Sequence, residues 1–112
     1  MKVKIDEKYQ AAIIKLSGNL IGGEDATFFR NKLYELIEAK KKNVVVDMTD
    51  VKIINSTGIG ILISGYTTLK NAGGDLKLAN ITDNVHSVLA ITKLVQVFHI
   101  YDNVDEAIKS YK

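Results

Sequence analysis

Three polar residues in a row, Asn55-Ser56-Thr57, separate an apolar segment ending at Ile54 from one in which Ile59, Leu62, Ile63, Tyr66 and Leu69 recur at helical spacing. Hydroxyls at such a junction have two chemical uses. Either one can cap the helix by accepting a hydrogen bond from a free backbone N–H, worth about 1 kcal/mol. Either one can also carry a phosphoryl group, because a helix N-terminus offers free N–H donors and a partial positive charge to an anion. A phosphate on Ser56 would add about −1.5 to −2 charges there and change the surface a partner meets. Behind the hydroxyls stand Gly58, Gly60 and Gly65. An interior glycine costs a helix about 0.5–1 kcal/mol relative to alanine, so three of them need a reason. With Ser64 they leave little bulk over the early helix, which suits a docking protein or close packing against a neighbouring helix.

Other chemistry finds fewer parts. There is no cysteine among the 112 residues, which removes thiolate metal sites and cysteine nucleophiles and fits a reducing compartment. The G-x-S-x-G elbow, the G-x-x-x-x-G-K-[ST] loop and G-x-G-x-x-G are absent, and Ser56 has no base evident in the sequence. His86 and His99 stand alone, one on the polar side of a short helix and one in a strand, so neither a metal nor a cofactor is implied. Asp6-Glu7, Asp47 and Lys77 loosely suggest a phosphoreceiver site. However, Asp6 and Glu7 fall in an expected hairpin turn, and Asp47 falls in a buried strand. The basic run Lys40-Lys41-Lys42 ends an expected helix, where cations complement the dipole. No aromatic residues interleave with it, which argues against direct nucleic-acid binding. The net charge of +2, from 15 basic and 13 acidic residues, is mixed along the chain.

The elements that must position the junction are legible in outline. A chain of this length fits one domain, 1–112, and buries about 65% of its unfolded surface. Val3–Ile5 and Ala11–Gly18 read as strands joined by a polar turn, Asp6–Gln10, too short for a crossover and therefore an antiparallel hairpin. A helix follows over 22–42, with Phe29, Leu33, Leu36 and Ile37 on one face. Val44-Val45-Val46 is the β-branched run of a strand buried on both faces. The helix from about Thr57 to Asn71 stops at Gly73-Gly74. A strand at 75–80, a short helix capped by Thr82 or Asp83, a strand at 95–100 and a closing helix at 103–111 complete the order ββαβαβαβα. Strands alternating with helices predict a small, mostly parallel sheet flanked on one side by helices. The N-terminal stretch shows no apolar signal-peptide core, and no apolar run approaches the ~20 residues that span a bilayer. The expectation is a cytoplasmic protein with no membrane insertion.

The stretch "VVVDMTDVKIINSTGIGILISGYTTLKNAGGDLKLANITDNVHSVLAIT" resembles the STAS domain of bacterial anti-sigma factor antagonists. In that family a D-[ST]-[ST]-G-[LI]-G segment follows a buried strand. A helix, a G-G turn, a strand and a helix leading into a "TGL"-like segment come next. The matching parts are Ser56-Thr57-Gly58-Ile59-Gly60, Gly73-Gly74-Asp75-Leu76 and Ile91-Thr92-Lys93-Leu94, and the likeness extends upstream through "IIKLSGNL". The resemblance implies a phosphorylation-controlled partner switch that is not an enzyme and is a monomer when free. Unphosphorylated, the antagonist binds an anti-sigma factor that is also an ATP-dependent serine kinase. Phosphorylation ends that association, and a serine phosphatase reverses it. The acceptor maps to Ser56, with Thr57 the second choice and the expected hydrogen-bonding partner on the helix side.

The partner-facing surface then comprises Asn19, Ile21, Gly22, Gly23, Glu24 and Asp25, together with Asn55 through Ile61 and Ser64-Gly65. Two departures fall on it. Asn55 stands where the family has aspartate, and "GNLIGGED" replaces G-E-[LIV]-D followed directly by a helix. A second reading is a constitutive, unphosphorylated accessory subunit of another assembly, such as a membrane transporter.

Overall fold

The computed structural model describes residues 2–8, 11–22, 24–93 and 96–111, without the side chains of Glu24 and Asp25. Among these residues the order is β1 (Lys2–Lys8), β2 (Ala11–Ser17), α1 (Glu24–Glu38), β3 (Asn43–Asp50), α2 (Ser56–Asn71), β4 (Asp75–Ala79), α3 (Asp83–Ile91), β5 (His99–Tyr101) and α4 (Val104–Lys109). This is the expected ββαβαβαβα order. The strands lie side by side in sequence order. β1 runs antiparallel to β2, and every later neighbour is parallel. Each parallel step moves one strand further in the same direction, and such crossovers are right-handed. That geometry sends α1, α2 and α3 to one face.

Strand alternation shows what each face holds. Ile14, Leu16, Val44, Val46, Leu76 and Leu78 point into the main core with Phe29 and Leu33 of α1, Leu62 and Leu69 of α2, and Val85 and Leu89 of α3. Ala11, Val45 and Ala79 point the other way, where Ala107 and Ile108 of α4 cover them. The expectation of helices on one side only is corrected here. All three valines of β3 are fully buried, and a strand buried on both faces needs a helix on each.

α4 is fastened as well as packed. Lys77, 6% exposed on β4, donates from Nζ to the Ser110 hydroxyl at 2.6 Å. Its ammonium lies 4.0 Å from the centre of the Tyr111 ring and 5.6 Å from that of Tyr101. The Tyr111 hydroxyl donates to the Val44 carbonyl at 2.6 Å.

Several boundaries differ from expectation. Asp6, Glu7 and Lys8, expected in a turn, instead continue β1, pairing with Ile13, Ala12 and Ala11; an edge strand tolerates charges that face water. The rest of that turn, Tyr9 and Gln10, lies outside the described residues. α1 ends at Glu38 rather than running into the lysines. Lys40 adopts φ +62°, Lys40 N–H bonds the Ile37 carbonyl and Lys41 N–H bonds the Leu36 carbonyl. This is a Schellman stop with lysine where glycine is usual. The lysines therefore occupy the turn to β3, and the Lys41 ammonium pairs with Glu7. β5 is shorter than the expected 95–100: Val95 lies outside the described residues, and Gln96–Phe98 are not strand. Phe98 is buried instead, edge-on to Tyr66 at 5.7 Å between ring centres.

Candidate functional site

β2 does not end cleanly at Ser17. After an irregularity in its pairing with β3, Leu20 forms one more parallel bridge with Ile54. That bridge brings the β2–α1 loop alongside the entry to α2. Asn55 is extended, with φ −117° and ψ −175°, and is the N-cap of α2. Its Oδ1 accepts from the Gly58 N–H at 2.8 Å, and its Nδ2 donates to the Ile21 carbonyl at 3.1 Å. Thr82, by contrast, caps α3 as expected.

The cap of α2 is thus a carboxamide rather than either hydroxyl, which corrects the capping expectation for Ser56 and Thr57. Ser56 is exposed, and among the described residues its hydroxyl takes no hydrogen bond. Thr57 is exposed too, but its methyl group faces Gly22: a Cβ there would lie 2.6 Å from Thr57 Cγ2. The hydrogen-bonding role expected of Thr57 is therefore replaced by an apolar contact. No acidic residue occupies the first turn of α2, so its N-terminal field is not already met by a carboxylate.

The glycines divide by function. A Cβ on Gly58 would overlap the Leu20 carbonyl oxygen, and one on Gly65 would come within 2.8 Å of Phe29 and 2.9 Å of Leu33. Both serve close packing. Gly60 alone of the three has open space over it. Of the residues expected to face a partner, Gly58, Ile59, Ile61 and Gly65 are buried, so their part is to support the surface from beneath. Asn19, Ile21, Asn55, Ser56, Thr57, Gly60 and Ser64 are exposed, and Gly22 is half-buried. Gly23 and the side chains of Glu24 and Asp25 lie outside the described residues. A groove of about 200 Å³ runs between α1 and α2, with Arg30, Thr57, Gly60 and Ser64 along its sides and Phe29 and Leu33 in its floor.

One exposed residue escaped the sequence reading. Ile53 is 52% exposed, as Ile21 is at 51%, and its carbonyl accepts from Leu20 N–H at 2.9 Å. The signal was available: adjacent isoleucines in an extended segment face opposite ways, so with Ile54 buried, Ile53 must face out.

The residues of the phosphoreceiver reading do not converge. Asp6 and Glu7 sit in β1, and Lys77 is held beneath Tyr111. Asp47 accepts from the Thr49 hydroxyl at 2.6 Å, the Thr49 N–H at 3.1 Å and Asn80 Nδ2 at 3.2 Å. His86 and His99 are exposed on α3 and β5. Among the described residues no helix is long and apolar enough to cross a membrane.

Comparison with known proteins adds three likenesses to a family match. The model of the STAS domain family matches residues 2–107. An anti-sigma-B factor antagonist of Bacillus subtilis is 29% identical over 103 residues, covering 89% of this chain and 92% of that one. The structure of the Bacillus cell fate determinant SpoIIAA in its phosphorylated form superposes with a TM-score of 0.74 at 17% identity, over 99% of this chain and 100% of the other. A sulfate transporter family protein from Wolinella succinogenes superposes with a TM-score of 0.76 at 22% identity, over 88% and 81%. At these identities the two structural likenesses speak to the fold.

Proposed function

Since this chain belongs to the STAS domain family, we propose that it is a cytoplasmic anti-sigma factor antagonist: a binding protein, not an enzyme, whose association with an anti-sigma serine kinase is switched by phosphorylation of Ser56. Unphosphorylated, it binds the kinase through the exposed residues at the entry to α2 and in the β2–α1 loop. Transfer of a phosphoryl group from ATP to Ser56 Oγ ends the association, and a serine phosphatase restores it. The free chain is a monomer on this reading.

One observation carries the choice of residue. Asn55 supplies the cap, which leaves the Ser56 hydroxyl exposed and unengaged among the described residues at the first position of α2. A kinase can take it without unwinding the helix. Thr57 is the weaker acceptor because its methyl lies against Gly22. The resulting charge would stand beside the exposed Ile21 and Ile53, where an apolar contact would have to bury it. An ion buried without a partner costs several kcal/mol. The relative described above as an anti-sigma-B factor antagonist supports the partner class. The phosphorylated form of SpoIIAA supports the switch in a protein of the same fold.

The test is phosphosite mapping by mass spectrometry on the protein recovered from its own cells under growth and under stress. Phosphate on Ser56 whose occupancy changes with condition is the expected result. With the co-purifying kinase, Ser56→Asp should bind at least about tenfold more weakly than Ser56→Ala, with little change in thermal midpoint. Equal binding of the two variants would remove the charge switch. A segment unmodified in every condition would favour the alternative, a constitutive accessory subunit of another assembly. The fold shared with a sulfate transporter family protein keeps that alternative in view.

A further inference from the structure

Residues 20–22 lie along the first turn of α2, and each touches a residue close to Ser56. Leu20 N–H donates to the Ile53 carbonyl at 2.9 Å, and the Leu20 carbonyl accepts from Asn55 N–H at 3.4 Å. The Ile21 carbonyl accepts from Asn55 Nδ2. Gly22, at φ +110°, leaves room for the methyl of Thr57 and no more. Ser56 gives this clasp no hydrogen bond, so its hydroxyl stays free while its neighbours hold the loop.

A carboxamide is the one short side chain that at neutral pH carries an acceptor and a donor on separate atoms at its tip. The environment fixes which end is which, because the Gly58 N–H needs an acceptor and the Ile21 carbonyl needs a donor. An aspartate would cap the helix equally well. Toward Ile21, however, it would set one acceptor against another. We propose that Asn55 is a positioning residue, whose carboxamide clamps the β2–α1 loop onto α2 and so fixes Ile21 in the docking surface beside Ser56. The inference rests on the reading of that surface as the partner site. It adds what holds the surface in shape, and it explains why asparagine stands where the resembling pattern has aspartate.

The experiment uses the purified chain alone, so its outcome is independent of any kinase. Amide hydrogen exchange is followed by NMR in wild type, Asn55→Asp and Asn55→Ser. Both replacements keep an acceptor for the cap; at neutral pH aspartate has no donor, and the serine hydroxyl is one bond nearer the backbone than the carboxamide nitrogen, so it falls back from the Ile21 carbonyl. The expected result is exchange about fivefold faster at Leu20 N–H in both variants, with the amides of α3 unchanged. Acidification separates clamp from cap. At pH values well below the ordinary carboxyl value of about 3.9, low enough to overcome the cap's hold on the anion, the introduced carboxyl of Asn55→Asp protonates and regains a donor. Its Leu20 exchange, taken as a ratio to wild type, should fall back toward one, while that of Asn55→Ser stays raised. Unchanged exchange at Leu20 would overturn the clamp. So would acceleration shared by all core amides, which reports a lost cap, or an Asn55→Asp ratio that is the same at both pH values. A wild-type chain that no kinase modifies would count against the proposed function and leave the exchange result standing.

Discussion

A carboxylate in β3 and a carboxamide before α2 solve opposite problems with nearly the same shape. Asp47 meets only donors. Burial would raise its carboxyl, but the hydroxyl and N–H of Thr49, the carboxamide of Asn80 and the charge of Lys15 together hold it below the ordinary value of 3.8. Asn55 meets one donor and one acceptor, and a charge there would be at odds with the second. The Asp47 site makes a pH prediction. Its folded carboxyl titrates below the unfolded one, so the stabilisation is complete at neutral pH and is lost as pH falls from about 3.8 through the lower folded value. Asp47→Asn should therefore lower the thermal midpoint at neutral pH, and the gap from wild type should close as the pH is taken below 3.8 and through that lower folded value. A gap that stayed constant across the titration would show that the ionised form is not what the site stabilises. At this scale the sequence located the junction but not its division of labour. Ser56, Thr57 and Asn55 are all good caps in isolation, and the choice among them depends on the Ile21 carbonyl, 34 residues away.

Helix α2 carries two glycines with opposite consequences, and both could be substituted by the same residue. Over Gly60 nothing lies within 4 Å, whereas at Gly65 an added Cβ would press on Phe29 and Leu33 of α1. Gly60→Ala should raise stability in urea unfolding by about 0.5–1 kcal/mol, through the smaller entropy lost on folding. Gly65→Ala should lower it by about 1–3 kcal/mol, because a well-packed helix interface has no spare volume. A gain at both positions would mean that helix propensity, not the α1–α2 contact, governs this element. The sequence posed the alternatives of docking and packing without resolving them, because the same small residue serves either. It did read the type and order of every element. The Gly73-Gly74 stop also holds: Gly73, at φ +84°, and Gly74 bond back to Lys70 and Leu69. What local pattern missed were ends decided by contacts elsewhere. Lys40 takes a left-handed turn that usually falls to glycine. In the segment read as β5, an alternating apolar run is spent on burying Phe98 against Tyr66.

Across the whole molecule, the sequential strand order accounts for the layout of both faces. Three crossovers in one direction place α1, α2 and α3 together and, among the described residues, leave the second face of the sheet to α4. Their parallel course also brings the chain exits of β2 and β3 side by side, which is why residues 20–22 can lie over 53–58. The β-branched run of β3 announced a second cover, but nothing in the sequence tied Lys77 to the chain's last turn. The seal over that lysine is substantial. Burial, with the nearby charge of Asp75, pushes the Tyr111 phenol well above its ordinary range. The consequence is a difference in reactivity among otherwise similar amines. A lysine-directed acylating reagent can reach exposed ammonium groups at once, but it can reach Lys77 only when Ser110 and Tyr111 move aside. Timed acylation read by peptide mass spectrometry should find Lys77 modified at least about tenfold more slowly than exposed Lys52. Its rate would then clock how often α4 lifts from the sheet. Equal rates would show that the closing helix is no barrier at all.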